Sequence, residues 1–120
     1  MAFDGVYEDP RIERLIALRA ELLERGWGKG TLVQPISGSV CILGALHAVH
    51  GNVGKSLNGK YWQVLDSHVS HAPELKQLLG RPPGEWETWW QWNDCGAWSC
   101  EDVIEKIDER IAELQAAKVR

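Results

Sequence analysis

Gly38-Ser-Val-Cys-Ile-Leu-Gly-Ala-Leu-His-Ala-Val49 is the stretch on which the fold turns. After Ser39 every residue except His47 is apolar or small, so a helix here has no face suited to water. Helices apolar all round belong in the middle of a domain. Gly44 and Ala48 stand four apart, leaving a shallow stripe that another helix backbone can approach closely. The stretch reads as a buried hub helix, with Ser37 or Ser39 as its cap and Cys41 in its first turn. The rest of the chain is its wrapping.

Outward from the hub, the N-terminal side is an amphipathic helix. Asp9 caps it, Pro10 suits its first position, and Ile12, Leu15, Ile16, Leu22 and Leu23 mark its apolar face. Gly26 and Gly28 stop it on either side of Trp27. Residues 28–38 form a connection, with Leu32, Val33 and Ile36 expected to be pinned to the core. Residues 1–8 carry no periodicity and read as a loose arm before a single helical domain over 9–118.

On the C-terminal side the hub ends near His50, because Gly51-Asn-Val-Gly54 is turn chemistry. Lys55 to Lys60 reads as exposed loop. Trp62, Val64, Leu65, Val69, Leu75, Leu78 and Leu79 suggest one or two short helices, interrupted before Pro73. Gly80-Arg-Pro-Pro-Gly84 is a firm break. Trp86, Trp89 and Trp90 then fall at i, i+3, i+4 on one face of a short helix, which Asn93-Asp-Cys-Gly96 ends. Ser99-Cys-Glu-Asp102 resembles a capping box, and Ile104, Ile107, Ile111 and Leu114 repeat on a last helix to about Lys118. Asp102 and Lys106 are spaced as an i,i+4 charge pair. The expected class is all-α: a compact bundle of four to six helices around a short buried central one.

The 120 residues, 44% hydrophobic and 25% charged, suit one globular domain with one core. A net charge of −4 argues against a general phosphate-binding surface, so no nucleic-acid partner is expected. The longest apolar run is about ten residues, against the roughly 20 needed to span a bilayer, so no membrane role is expected either. Three cysteines, an odd number, and no signal-peptide pattern point to a reduced cytoplasm.

The order Leu22-Leu-Glu-Arg-Gly-Trp27, Val40-Cys-Ile-Leu-Gly-Ala-Leu46, Trp92-Asn-Asp94 and the helix start Ser99 to Val103 resembles a family of small actinobacterial and actinobacteriophage proteins, grouped as a domain of unknown function. The resemblance covers most of the chain and rests on packing and capping motifs. It implies a cytoplasmic setting (the host's, if phage-encoded) and no particular activity.

Four constellations bear on chemistry. Gly51-Asn-Val-Gly-Lys-Ser56 has the tail of a phosphate-binding loop. However, Val49 stands where the first glycine is required, and a helix rather than a strand precedes it, so it reads as a structural turn. Cys41 at a helix start favours thiolate, and a Cys-His-Asp/Asn hydrolase or transferase could recruit His68 or His71 with Asn93 or Asp94. Its neighbours Val40, Ile42 and Leu43 make it a small buried hydrophobe instead. His68, His71, Cys95 and Cys100 supply zinc-type donors, but the cysteine spacing is wide, and they are read as unligated; His47/His50 form a weaker pair. Trp92-Asn-Asp94 reads as the close of one helix and the cap of the next turn.

Tryptophan is the compositional anomaly: seven of ten aromatics, four of them from Trp86 to Trp92. Indoles are preferred anchors at protein interfaces. The acidic neighbours Glu85 and Glu87 disfavour stacking on single-stranded nucleic acid, which needs accompanying cations. The expected function is non-enzymatic protein–protein interaction through Trp86, Trp89, Trp90, Trp92 and Trp98. The partner is a host protein or a second copy of the chain as a homo-oligomer, and no cofactor is expected.

Overall fold

A computed structural model describes residues 9–63 and 71–118. The loose arm, His68, and the candidate helix residues Val64, Leu65 and Val69 lie outside the described residues.

Helix α1 (Pro10–Arg25) begins and ends where its chemistry requires. The Asp9 carboxylate accepts from the Arg11 N–H at 2.9 Å, and the Gly26 N–H closes the last turn on Leu22 O. Gly26 does so at φ 90°, a conformation glycine adopts without Cβ strain. The buried face is Ile12, Leu15, Leu18 and Leu22. Ile16 and Leu23, expected in the core, are exposed, because the buried residues use the adjacent 3,3,4 spacing and rotate them outward.

The hub is helix α2 (Ile42–Val49), with Ile42, Ala45 and Leu46 fully buried. It starts later than the sequence suggests, and neither Ser37 nor Ser39 caps it. Val40 is held extended: its N–H donates to Gly26 O and its carbonyl accepts from Gly28 N–H, while Ser39 O accepts from Gln34 N–H. The cap is Cys41, whose sulfur accepts from the Gly44 N–H at 3.3 Å. The close approach foreseen at Gly44 is real, but the visitor is the Leu32 backbone rather than a helix. A Cβ at Gly44 would lie 1.8 Å from Leu32 O. In the 28–38 connection Val33 is buried, whereas Ile36 sits in the turn after Pro35 and points to solvent.

The all-α expectation fails after the hub. β1 (Val53–Lys55) and β2 (Tyr61–Gln63) form an antiparallel hairpin, registered Val53 with Gln63 and Lys55 with Tyr61. The Tyr61 N–H donates to Pro35 O, and its ring covers Gly38, tying the hairpin to the connection before α2. The architecture is mostly helical with one small sheet.

Helix α3 (Ala72–Leu79) takes Pro73 into its first turn and buries Leu75, Leu78 and Leu79. Helix α4 is a single turn (Trp89–Gln91) with a capping box: Thr88 Oγ1 accepts from Gln91 N–H, and Gln91 Oε1 from Thr88 N–H. A π-helical turn, Trp92–Gly96, follows. Helix α5 (Cys100–Lys118) buries Val103, Ile107 and Leu114. Ser99 Oγ accepts from Asp102 N–H, and the Asp102 carboxylate accepts from Trp98 N–H. Lys106 pairs with Glu109 rather than Asp102.

Helix α1 packs on both α2 and α5. Arg19 with Asp108 and Arg110 with Leu78 O tie α5 to α1 and α3. No helix among the described residues is long and apolar enough to cross a membrane.

Candidate functional site

The two ends of α2 carry different chemistry. At its start, Asn93 is wholly buried and its amide is shared between backbone and side-chain partners. Its Oδ1 accepts from the Ile42 N–H at 3.0 Å and from the Trp27 indole N–H at 2.7 Å. Its Nδ2 donates to Gly28 O at 3.1 Å and to Asp94 Oδ1 at 3.0 Å; the same Asp94 oxygen accepts from Gly30 N–H. Trp92-Asn-Asp94, expected to close one helix and cap the next turn, is a clamp that joins the π-helical turn to the hub's first amide and to the 28–30 segment. A free helix amide and an indole N–H in a dry interior each need a partner, and one oxygen serves both.

Cys41 lies beside this clamp. It is buried yet lines a pocket of about 270 Å³ with Thr31, Leu43, Trp90 and Asp94. Burial pushes its thiol pKa up, and the Asp94 carboxylate adds to the rise by repelling a thiolate. The structure thus brings Asp94 to Cys41 but not His71, which sits by the far end of α2. Among the described residues no imidazole lines the pocket. The geometry holds the sulfur as a helix cap, protonated at neutral pH. Cys95 is exposed on the π-helical turn, and Cys100 is half-buried at the start of α5.

The tryptophans divide between core and surface. Trp89 and Trp92 are buried, edge-on to each other with ring centroids 5.4 Å apart, and the Trp89 indole N–H donates to Gly80 O at 2.9 Å. They are core residues and leave the expected binding surface. Trp86 and Trp90 are each 38% exposed, and Trp98 is 91% exposed. The single helix face expected for Trp86, Trp89 and Trp90 does not form. Thr88 is extended, so Trp86 precedes the helix and lies over Gly96. Trp90 borders both the Cys41 pocket and a second one of about 350 Å³, lined by Pro73, Leu75, Pro82 and Trp89.

At the other end of α2 three imidazoles gather. His50, its C-terminal cap residue, stacks on His71 at 4.1 Å with the rings 6° from parallel; His47 meets His71 edge-on at 4.7 Å. Glu74 Oε1 lies 2.7 Å from His50 Nε2 and 3.4 Å from His71 Nδ1. Arg14 holds the other Glu74 oxygen at 3.5 Å. His47 is buried and its Nδ1 has no partner among the described residues; burial, then the neighbouring His71 and His50, push its pKa down, so it is neutral. The sequence reading missed this group. Its signal is the two His-x-x-His pairs, His47/His50 and His68/His71, but zinc-type spacing groups His68 and His71 with Cys95 and Cys100 instead. Among the described residues the one metal-competent set is His50, His71 and Glu74.

No protein of curated function and no solved structure matches this chain. A match to a family of unknown function, DUF6197, runs over residues 7–113 and takes in the hub, the Asn93 clamp and both histidine-bearing helix ends. The chain belongs to that family.

Proposed function

We propose that the protein is a non-enzymatic interaction module, an accessory protein of actinobacterial or phage origin, that docks a protein partner through Trp86, Trp90 and Trp98. The observation that carries this reading is Trp98, an indole 91% exposed in a chain that buries Trp89 and Trp92. Its backbone is fixed, since its N–H is held by Asp102, so the ring is presented from a rigid base. Large preorganised aromatics lose little conformational freedom on binding and serve as anchors worth about 2–4 kcal/mol each. The surrounding Glu85, Glu87 and Glu101 are exposed and acidic, which fits a partner pocket with a basic rim.

The test is photo-crosslinking from a benzophenone side chain placed at the exposed Gln91, in cells that express the protein naturally. Analytical ultracentrifugation over a concentration series runs beside it to register self-association. The reading expects one dominant cross-linked species that disappears in Trp98→Ala while the melting temperature holds. No cross-linked species and no concentration-dependent mass, or a species indifferent to Trp98→Ala, overturns it.

A further inference from the structure

We propose that His50, His71 and Glu74 form a binding site for a single divalent transition metal of the zinc class. Two imidazole nitrogens and one carboxylate oxygen lie within 4.8 Å of one another. Tetrahedral zinc with bonds of about 2.0–2.1 Å spaces its ligands roughly 3.4 Å apart. The His50–Glu74 and His71–Glu74 separations of 2.7 and 3.4 Å bracket that spacing; the two rings, 6° from parallel, turn out of their stack for both in-plane lone pairs to meet at one ion. Nitrogen-rich donors select zinc, nickel or copper over magnesium and calcium, which prefer all-oxygen sets.

The surroundings support ligation. Asn52 Nδ2 is 3.2 Å from His71 Nε2, the ring nitrogen opposite the one facing Glu74; a ligating ring donates from that nitrogen, so metal binding turns the Asn52 amide to offer its oxygen instead. Arg14 fixes the distal Glu74 oxygen and leaves Oε1 toward the rings, while its charge opposes the cation. His50 ends α2, where the aligned carbonyls favour a positive charge. The His50 and Glu74 side chains are 26% and 28% exposed, so an ion reaches them from solvent and a fourth position stays open to water. His47 packs edge-on behind His71 and completes an imidazole-lined wall.

The test is calorimetric titration of the chelator-treated full chain with Zn²⁺ at neutral pH, with Mg²⁺ as a parallel arm. His50→Gln, Glu74→Gln and the double variant Cys95→Ser/Cys100→Ser are compared, with helicity checked by circular dichroism. The expected result is one Zn²⁺ per chain and no heat with Mg²⁺. Each of His50→Gln and Glu74→Gln should weaken binding by more than about tenfold, since loss of an orienting partner alone costs that much. The cysteine variant should bind as the parent does. Absence of Zn²⁺ binding, equal binding of Mg²⁺, binding that survives either ligand substitution, or binding lost in the cysteine variant each overturns the proposal.

Discussion

Replacing Gly44 with alanine adds one methyl group at the point where the hub is most tightly approached. The new carbon would sit 1.8 Å from Leu32 O, 2.7 Å from Leu32 C and 3.2 Å from Leu32 Cα. Ordinary contact begins near 3.4 Å, so relief requires the 32 backbone to retreat by roughly 1.6 Å. It is not free to do so. Leu32 O accepts from the Cys41 N–H, Gln34 N–H donates to Ser39 O, and Gly28 N–H donates to Val40 O. Retreat therefore breaks backbone hydrogen bonds at the hub's buried entrance, each costing about 1–3 kcal/mol when a partner is stranded. Overpacking adds typically about 1–3 kcal/mol. Gly44→Ala should lose about 3–5 kcal/mol, a large part of the roughly 5–15 kcal/mol that holds a domain of this size together.

The assay is equilibrium unfolding in urea. With a slope of about 2 kcal/mol per molar, the midpoint should fall by roughly 2 M, or the variant should be unfolded without denaturant. Gly51→Ala is the control. Gly51 has φ 78° and open space around its Cα, so only backbone strain is incurred and the cost should stay near 1 kcal/mol. A Gly44→Ala midpoint equal to that of Gly51→Ala would refute the close approach and, with it, the placement of the 28–38 connection.

Asn93→Ala strands the Ile42 N–H and the Trp27 indole N–H in a dry interior; thermal unfolding should drop by at least about 10 °C. Asp9 is a helix cap whose side-chain hydrogen bond to Arg11 lowers its pKa from 3.8 to about 2. Its contribution is present above the unfolded value and lost as pH falls through the folded one. Asp9→Ala should therefore be less stable by about 1 kcal/mol at pH 7, with the difference shrinking below pH 3.8 and vanishing only as pH falls below about 2. Iodoacetamide at pH 8 should alkylate exposed Cys95 first and spare Cys41 until denaturant is added; rapid native labelling of Cys41, followed by peptide mass spectrometry, would contradict its role as a buried cap. Trp98→Ala should change stability by no more than about 0.5 kcal/mol, whereas Trp92→Ala should cost about 3–5 kcal/mol by chemical denaturation.

Helix α1 was legible because its signals agree: a capping aspartate, a proline at the first position, a period, and a glycine at the end. Its buried face was misjudged by a fraction of a turn, since Leu18 and Ile16 are equally apolar and only packing against α2 and α5 chooses between them. The hairpin was illegible for a different reason. Strands of three residues show too little alternation to register, and Gly54 within β1 carries the signature of a turn. Thr88 and Gln91 formed a readable capping box, overlooked because the tryptophan spacing suggested a longer helix starting earlier. At the candidate metal site the donor types were visible. Which histidine meets which carboxylate depends on how α2 and α3 cross, and no local pattern encodes that.

The hub helix separates the two proposed activities by its length. Eight residues at about 1.5 Å per residue place its ends about 12 Å apart. Asn93 and Asp94 tie the tryptophan-bearing segment to the first end, while His50 and Glu74 close over the second. A lesion in the clamp should therefore disturb Trp90 and Trp98 before the imidazoles, and loss of Glu74 should leave the indoles in place. Such distant sites with no shared partner are expected to respond additively, so a double variant Trp98→Ala/Glu74→Gln should lose docking and metal binding independently. Coupling between the two losses would mean that α2 shifts as a rigid rod when either end is engaged, a motion that the Leu32 backbone seated against Gly44 opposes.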